Sequence, residues 1–410
     1  MATTANILDH ARPQAISLRW IISARDDLVW FIGSVLSSYA LLILYVTGIV
    51  PLVPMVAAWA ILIDAPHVFG TFSRTYFDRT ERQNRGRLLW GSLLFFVVGP
   101  LLVLAHAGFV FFFIAALWAY YHLVKQHYGF MVLYKKKNGD LAPVDNALDR
   151  LLLLFAFNYP FVAFIARDPE AMARVPSPLH SSVNGLALLL LAGTIILGVA
   201  WLARQIQLAI LGQPLDVPKY LLLAAAIPMH WVVLLTPMPH KPIAIVAILT
   251  IYHNLQYHRL IWFHNKKYQS GTALSGTGVS PVARLGGSGT GVSPVGRAES
   301  LSSHPHAQDA HATSRSKFGA AELISRRLLF YIAFGILFGV IYQGPRQYLG
   351  YVSVTHGGGS GTGSGTGPQS LPVQLGIAFL WGYAFIHYYL DSKIWRVRRD
   401  PSVGKALNMN

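Results

Sequence analysis

The sequence predicts an all-α, polytopic transmembrane helical bundle of about ten spans, with the N-terminus and C-terminus cytoplasmic. Three observations carry this expectation. Hydrophobic residues make up 53% of the 410 residues and charged ones only 12%, about half the roughly 25% usual in soluble domains. Apolar stretches recur from residue 28 to residue 390. Basic residues collect between alternate stretches, as the positive-inside rule requires.

A hydrocarbon core of about 30 Å takes roughly 20 helical residues per crossing. The apolar stretches then place spans near 28–49, 51–68, 88–107, 108–133, 150–166, 182–203, 219–237, 242–264, 328–343 and 372–390. The fifth and ninth are short, so the count lies between eight and ten. Pro51, Pro100, Pro160 and Pro228 mark turns or kinks.

Orientation follows from charge. With a cytoplasmic N-terminus, the inner loops hold Arg74, Arg79, Arg82, Arg85 and Arg87, then Lys135–Lys137, Lys266 and Lys267, and Arg396, Arg398 and Arg399. The outer loops hold only Arg167, Arg174, Lys241 and Arg346. The net charge of +16 comes from 33 basic and 17 acidic residues. Set between apolar segments, it points to membrane lipids, not nucleic acid, as the partner.

The chain divides into a cytoplasmic segment at 1–27, eight spans within 28–268, a linker at 269–320, two spans within 321–395 and a basic cytoplasmic tail at 396–410. Residues 1–27 lack the apolar core of a signal peptide, so the first span is expected to be retained. SGTGVSPV occurs twice in the Gly/Ser/Thr/Pro-rich linker, whose composition predicts disorder. The outer loop contains GGGSGTGSGTG at 357–367. Cysteine is absent, which excludes disulfides, iron–sulfur clusters and thiol catalysis. No Walker, dinucleotide-binding, HExxH or GxSxG motif occurs either.

Histidine carries the functional signal. Of 16 histidines, His67, His122, His127, His230, His253, His258 and His387 lie in apolar spans. Counting residues from the basic loops puts them in the cytoplasmic half of the bundle. Ionisable groups at that depth normally face a protein interior or a water-filled path. Neutral imidazole ligates iron, copper or zinc, and a carboxylate completes iron and manganese sites. The seven histidines together with Asp391 form the candidate metal set. Asp391 shares a helical face with His387, as Asp64 does with His67. His264, about 16 Å along its helix from His253, suits the headgroup interface equally well.

Two pairs have the spacing HxxxxH: His122 with His127 in HLVKQH, and His253 with His258 in HNLQYH. Five residues turn a helix by about 500°, leaving the two side chains about 140° apart. Both members reach one pocket only if the helix bends, or if the pair flanks two metals. Otherwise each pair supplies a single ligand.

These boxes resemble those of membrane-embedded histidine-box oxygenases, including lipid desaturases, alkane hydroxylases and sterol-modifying enzymes. No HxxHH box accompanies them. The resemblance implies non-haem iron, as one ion or two, activating oxygen against an apolar substrate near the cytoplasmic face. The dispersed histidines also resemble those of the many-span carotene-cleaving oxygenases that form retinal, which adds isoprenoids to the lipid-like substrates expected. The expected outcome is hydroxylation, desaturation or oxidative cleavage, with electrons from a separate donor protein. The expected location is the inner membrane of a bacterial-type cell. A haem protein with two axial histidines, and a proton-coupled or metal transporter, are the alternatives.

Overall fold

Ten long helices dominate the computed structural model, which describes residues 16–269, 317–356 and 370–395 and isolated positions from 403 to 409. They are α1 (Ala24–Val46), α2 (Leu52–Arg74), α3 (Arg79–Leu104), α4 (Gly108–Asn138) and α5 (Pro143–Arg167), followed by α6 (His180–Ile210), α7 (Val217–Leu235), α8 (Lys241–His264), α9 (Leu328–His356) and α10 (Leu371–Ile394). Most of the expected linker, the glycine-rich stretch 357–367, the first 15 residues and most of the basic tail lie outside the described residues.

Eight of these helices, α1 to α7 and α9, are long and apolar enough to cross a membrane. The other two, α8 and α10, carry His253, Asn254, Gln256 and His258, or His387 and Asp391, and these polar residues dilute their hydropathy. The exterior is apolar. The most apolar window of α6 has no buried residue, and Val53 and Ile210 are 77% and 80% exposed. Such a surface suits lipid as the solvent.

The span expected at 150–166 is longer than its apolar core: α5 begins at Pro143. Its first turns are polar but satisfied, because Asp145 pairs with Arg204 at 2.8 Å and Asp149 pairs with Lys135 and Lys219. Likewise α9 continues past residue 343 through Pro345, and the Arg346 guanidinium stacks 4.6 Å from the Trp381 ring. Pro100, Pro160 and Pro228 sit inside helices, and Pro51 caps α2.

The helices that carry the site run parallel. Along α2 and α10, contacts advance together from His67–His387 to Thr71–Asp391 to Arg74–Ile394. Along α2 and α8 they advance from His67–His253 to Thr71–Tyr257. Along α4 and α10 they advance from Trp118–Phe385 to His122–Tyr388. The C-terminal ends of α2, α4, α8 and α10, with Arg74, Lys135–Lys137 and Lys266–Lys267, therefore share one side of the bundle.

Two helices contain π-helical segments, Asp27–Gly33 in α1 and Ala60–Asp64 in α2. A π turn shifts the hydrogen-bond ladder and frees carbonyls for other donors. Side chains of α8 take both opportunities. Tyr252 and Gln256 donate to the Phe31 carbonyl at 2.6 and 2.7 Å, and His258 Nε2 meets the Ile63 carbonyl at 3.0 Å. Helix α9 closes over the second π segment through Gly335 and Gly339, whose spacing permits close helix approach. A Cβ on Gly339 would stand 2.2 Å from the Ile61 carbonyl oxygen.

On the basic side, α4, α5 and α7 are joined by buried ions. Lys219 Nζ lies 2.5 Å from Asp140 and 3.2 Å from Asp149, and Lys135 binds the same two carboxylates. Both lysine side chains are 1% exposed. Asp216 caps α7 through the Lys219 amide at 3.2 Å, while its second oxygen has no partner. Burial pushes its carboxyl from 3.8 up to about 6, against the opposing effect of Lys219.

Two expectations follow. Gly339→Ala should destabilise the protein by about 1–3 kcal/mol through overpacking. Gly344→Ala, where a Cβ meets nothing within 4 Å, should change stability by less than about 0.5 kcal/mol. Thermal unfolding in detergent compares the two. For Asp216, the folded state holds a proton that the unfolded chain has released, so its contribution to stability falls as pH rises from 3.8 to about 6. Asp216→Asn, which keeps the cap, should remove that fall from the pH profile of unfolding.

Candidate metal centre

The parallel helices build the site in levels. Residues four apart on a helix stack on one face about 6 Å apart. Helix α2 presents His67 and then Thr71, α8 presents His253 and then Tyr257, and α10 presents His387 and then Asp391. Helix α4 adds His122 at the first level.

At that level, Nε2 of His387 lies 2.9 Å from Nε2 of His67 and 3.1 Å from Nε2 of His122. One nitrogen from each of the three rings falls within 4.8 Å of the others. All three residues are buried. The ring of His253 stands 4.8 Å from that of His67 and 5.3 Å from that of His122.

The second level fixes the first. Thr71 Oγ1 lies 2.8 Å from His387 Nδ1 and donates to Asp391 Oδ1 at 2.6 Å. Tyr257 donates its hydroxyl hydrogen to Asp391 at 2.8 Å. With the threonine proton committed to the carboxylate, Thr71 accepts from His387 Nδ1–H. That assignment leaves a lone pair on His387 Nε2, aimed at His67 and His122. A neutral imidazole carries one N–H, so three converging ring nitrogens cannot saturate one another. The three nitrogens form a group that could hold a metal ion. The relay behind His387 is the kind of outer contact that orients metal-bound histidine.

Asp391 thus stands behind His387, reaching it through Thr71, with a direct separation of 3.8 Å from Nδ1. Asp64 lies on another face, between Asn254 at 3.4 Å and Gln343 at 3.3 Å.

The two HxxxxH pairs divide as their 140° separation requires. His122 faces the centre, whereas His127 turns toward His230, with ring centroids 5.4 Å apart. His127 and His230 each bond through Nδ1 to a carbonyl of their own helix, at 3.0 and 2.8 Å, and leave a buried Nε2 without partner. His253 faces the centre, whereas His258 is engaged at both nitrogens, by the Ile63 carbonyl and by the Tyr331 hydroxyl at 3.2 Å. The structure therefore gives His258 the role of tying α8 to α2 and α9.

A cavity of about 630 Å³ is lined by His67, His122, His253 and His387. It extends to Arg174, Pro242 and Arg346 in the half of the bundle opposite the basic ends. Phe113, Leu117, Phe161 and Leu249 form an apolar wall, and Asp64, Asn254, Gln343 and Arg346 a polar one.

No family model, no curated protein and no solved structure matches the chain.

Thr71 was not among the residues singled out by sequence, although its place four residues after His67 is the available signal. Replacing it with valine removes the hydroxyl between His387 and Asp391. Thr71→Val should weaken metal binding roughly 10- to 100-fold with the helical circular-dichroism signal unchanged, as measured by chelator competition.

Proposed function

We propose that the chain is a membrane-embedded, non-haem iron oxidoreductase that uses oxygen on a lipid or isoprenoid substrate. The observation that carries this reading is the convergence of His67, His122 and His387 in the lining of a largely apolar cavity. Imidazole donors suit iron, and the HxxxxH boxes resemble those of iron-dependent membrane oxygenases. His253 is the nearest further imidazole to complete the set. The unpartnered Nε2 atoms of His127 and His230 supply donors for a second ion.

Iron at this position supplies oxygen activation. The protein's own residues do the rest. The relay of Tyr257, Asp391 and Thr71 holds His387 in the tautomer that directs its lone pair inward. The wall of Phe113, Leu117, Phe161 and Leu249 accommodates an apolar chain and excludes water from its path. Asn254, Gln343 and Arg346 fix a polar end of the substrate. Hydroxylation, desaturation and oxidative cleavage all fit this arrangement, with electrons from a separate protein. The basic helix ends face the cytoplasm in this reading, and the protein resides in a bacterial-type inner membrane.

Metal analysis of untagged protein from iron-replete cells tests the proposal. About one iron per chain is expected if only the three-histidine centre fills, and about two if His127 and His230 also bind. His67→Ala and His387→Ala should abolish binding at the centre, and His258→Ala should retain it. Protein without iron, or iron content undiminished in both of the first two variants, would refute the assignment. A strong Soret band would establish haem instead.

A further inference from the structure

The stack continues to a third level, where the three parallel helices end. Arg74 closes α2, His264 closes α8, and Trp395 follows α10. Arg74 is fully buried, with its guanidinium carbon 4.0 Å from the centroid of the Trp395 ring. One nitrogen, Nη2, donates to the Ile394 carbonyl at 2.9 Å. The other two, Nε and Nη1, have no acceptor among the described residues. His264 packs against the same indole with ring centroids 5.7 Å apart, and its Nε2 is also buried and unpartnered. Asn265, 0% exposed, leaves its amide Nδ2 without an acceptor.

The nearby carboxylates are committed elsewhere. Asp391 accepts from Thr71 and Tyr257. Asp78 accepts from Tyr268 at 2.8 Å and pairs with Lys267 at 3.7 Å. Arginine stays protonated in proteins, and a buried charge without a partner is costly. A permanent cation and an amide therefore share one desolvated level and lack acceptors, while His264 Nδ1 faces the Asn265 Oδ1 at 3.5 Å.

We infer that this level is an oxyanion-binding site for a phosphate group, distinct from the histidine centre and about 10 Å beyond it along α2. Arg74 Nε and Nη1 and Asn265 Nδ2 donate to the phosphate oxygens. A phosphate supplies several acceptor oxygens and negative charge at once, which matches a buried cation with two free N–H groups and an amide donor beside it. The same chemistry is offered by free phosphate and by the headgroup of a phospholipid at the helix ends.

Full-length protein, delipidated in detergent and free of phosphate buffer, provides the test. Inorganic phosphate and phosphatidic acid are titrated separately while the unfolding midpoint is followed. A ligand of the folded state raises Tm with the logarithm of its concentration. Stabilisation by inorganic phosphate identifies the free ion, and stabilisation by phosphatidic acid alone identifies a lipid headgroup. In either case Arg74→Gln should weaken binding roughly 10- to 100-fold, as expected for loss of charge-assisted hydrogen bonds. Asn265→Leu should weaken it less, and it carries the comparison if Arg74→Gln does not fold. Metal content should stay unchanged in Asn265→Leu, which separates this site from the histidine centre. No saturable stabilisation by either probe, or equal stabilisation of the wild type and the folded variants, would overturn the inference.

Discussion

Polar groups enclosed by apolar helices must find their partners inside the protein, and that constraint organises the bundle. Where partners are present, they pin helices together. The Phe31 and Ile63 carbonyls released by the π segments are taken by Tyr252, Gln256 and His258 of α8. Lys135 and Lys219 are held by Asp140 and Asp149. Among the described residues, partners are missing at His67 Nδ1, at Nε2 of His127 and His230, and at Arg74 Nε and Nη1, as at several atoms elsewhere such as Asp216 Oδ2. Unpaired polar atoms are uncommon in packed interiors, and these are the groups on which both proposed sites rest.

The parallel run of α2, α8 and α10 makes that axis one line of chemistry. Each helix repeats its contribution every turn, so imidazoles, then hydroxyls and a carboxylate, then a cationic end follow one another along it. The cavity reaches the first level, where His67, His122, His253 and His387 line it, and Thr71, Tyr257 and Asp391 lie outside its lining.

Much of this was legible in the sequence. Long apolar stretches mark the helices, and their alternation with basic loops anticipates the shared direction of α2, α4, α8 and α10. Distances from those loops put all seven histidines in the half of the bundle near the basic ends, but group His127 and His258 with His67 and His387, where the structure brings His122 and His253. The 140° divergence of an HxxxxH pair foretells that His122 and His127 face different neighbours. Other features depend on tertiary geometry. The acceptor for His258 is the Ile63 carbonyl within the π segment, which no side-chain pattern marks. The spacing of His387 and Asp391 puts them on one face without revealing that Thr71 comes between them. Arg74 reads as one more positive loop residue, and only packing against Trp395 shows it to be buried. Polar first turns in α5 concealed its start, because the partners that satisfy them lie on α4, α6 and α7.

The π segment in α2 has a consequence for how this helix can change. It lies just before His67 and sets the rotation of everything after it relative to the turns before it. Re-forming regular α-helix through Ala60–Asp64 with all five residues retained would swing His67, Thr71 and Arg74 together by about 100°. All three would leave the axis in a single event, with their identities intact. The phase of one helix, as much as the choice of side chains, is therefore what makes α2 a functional strip.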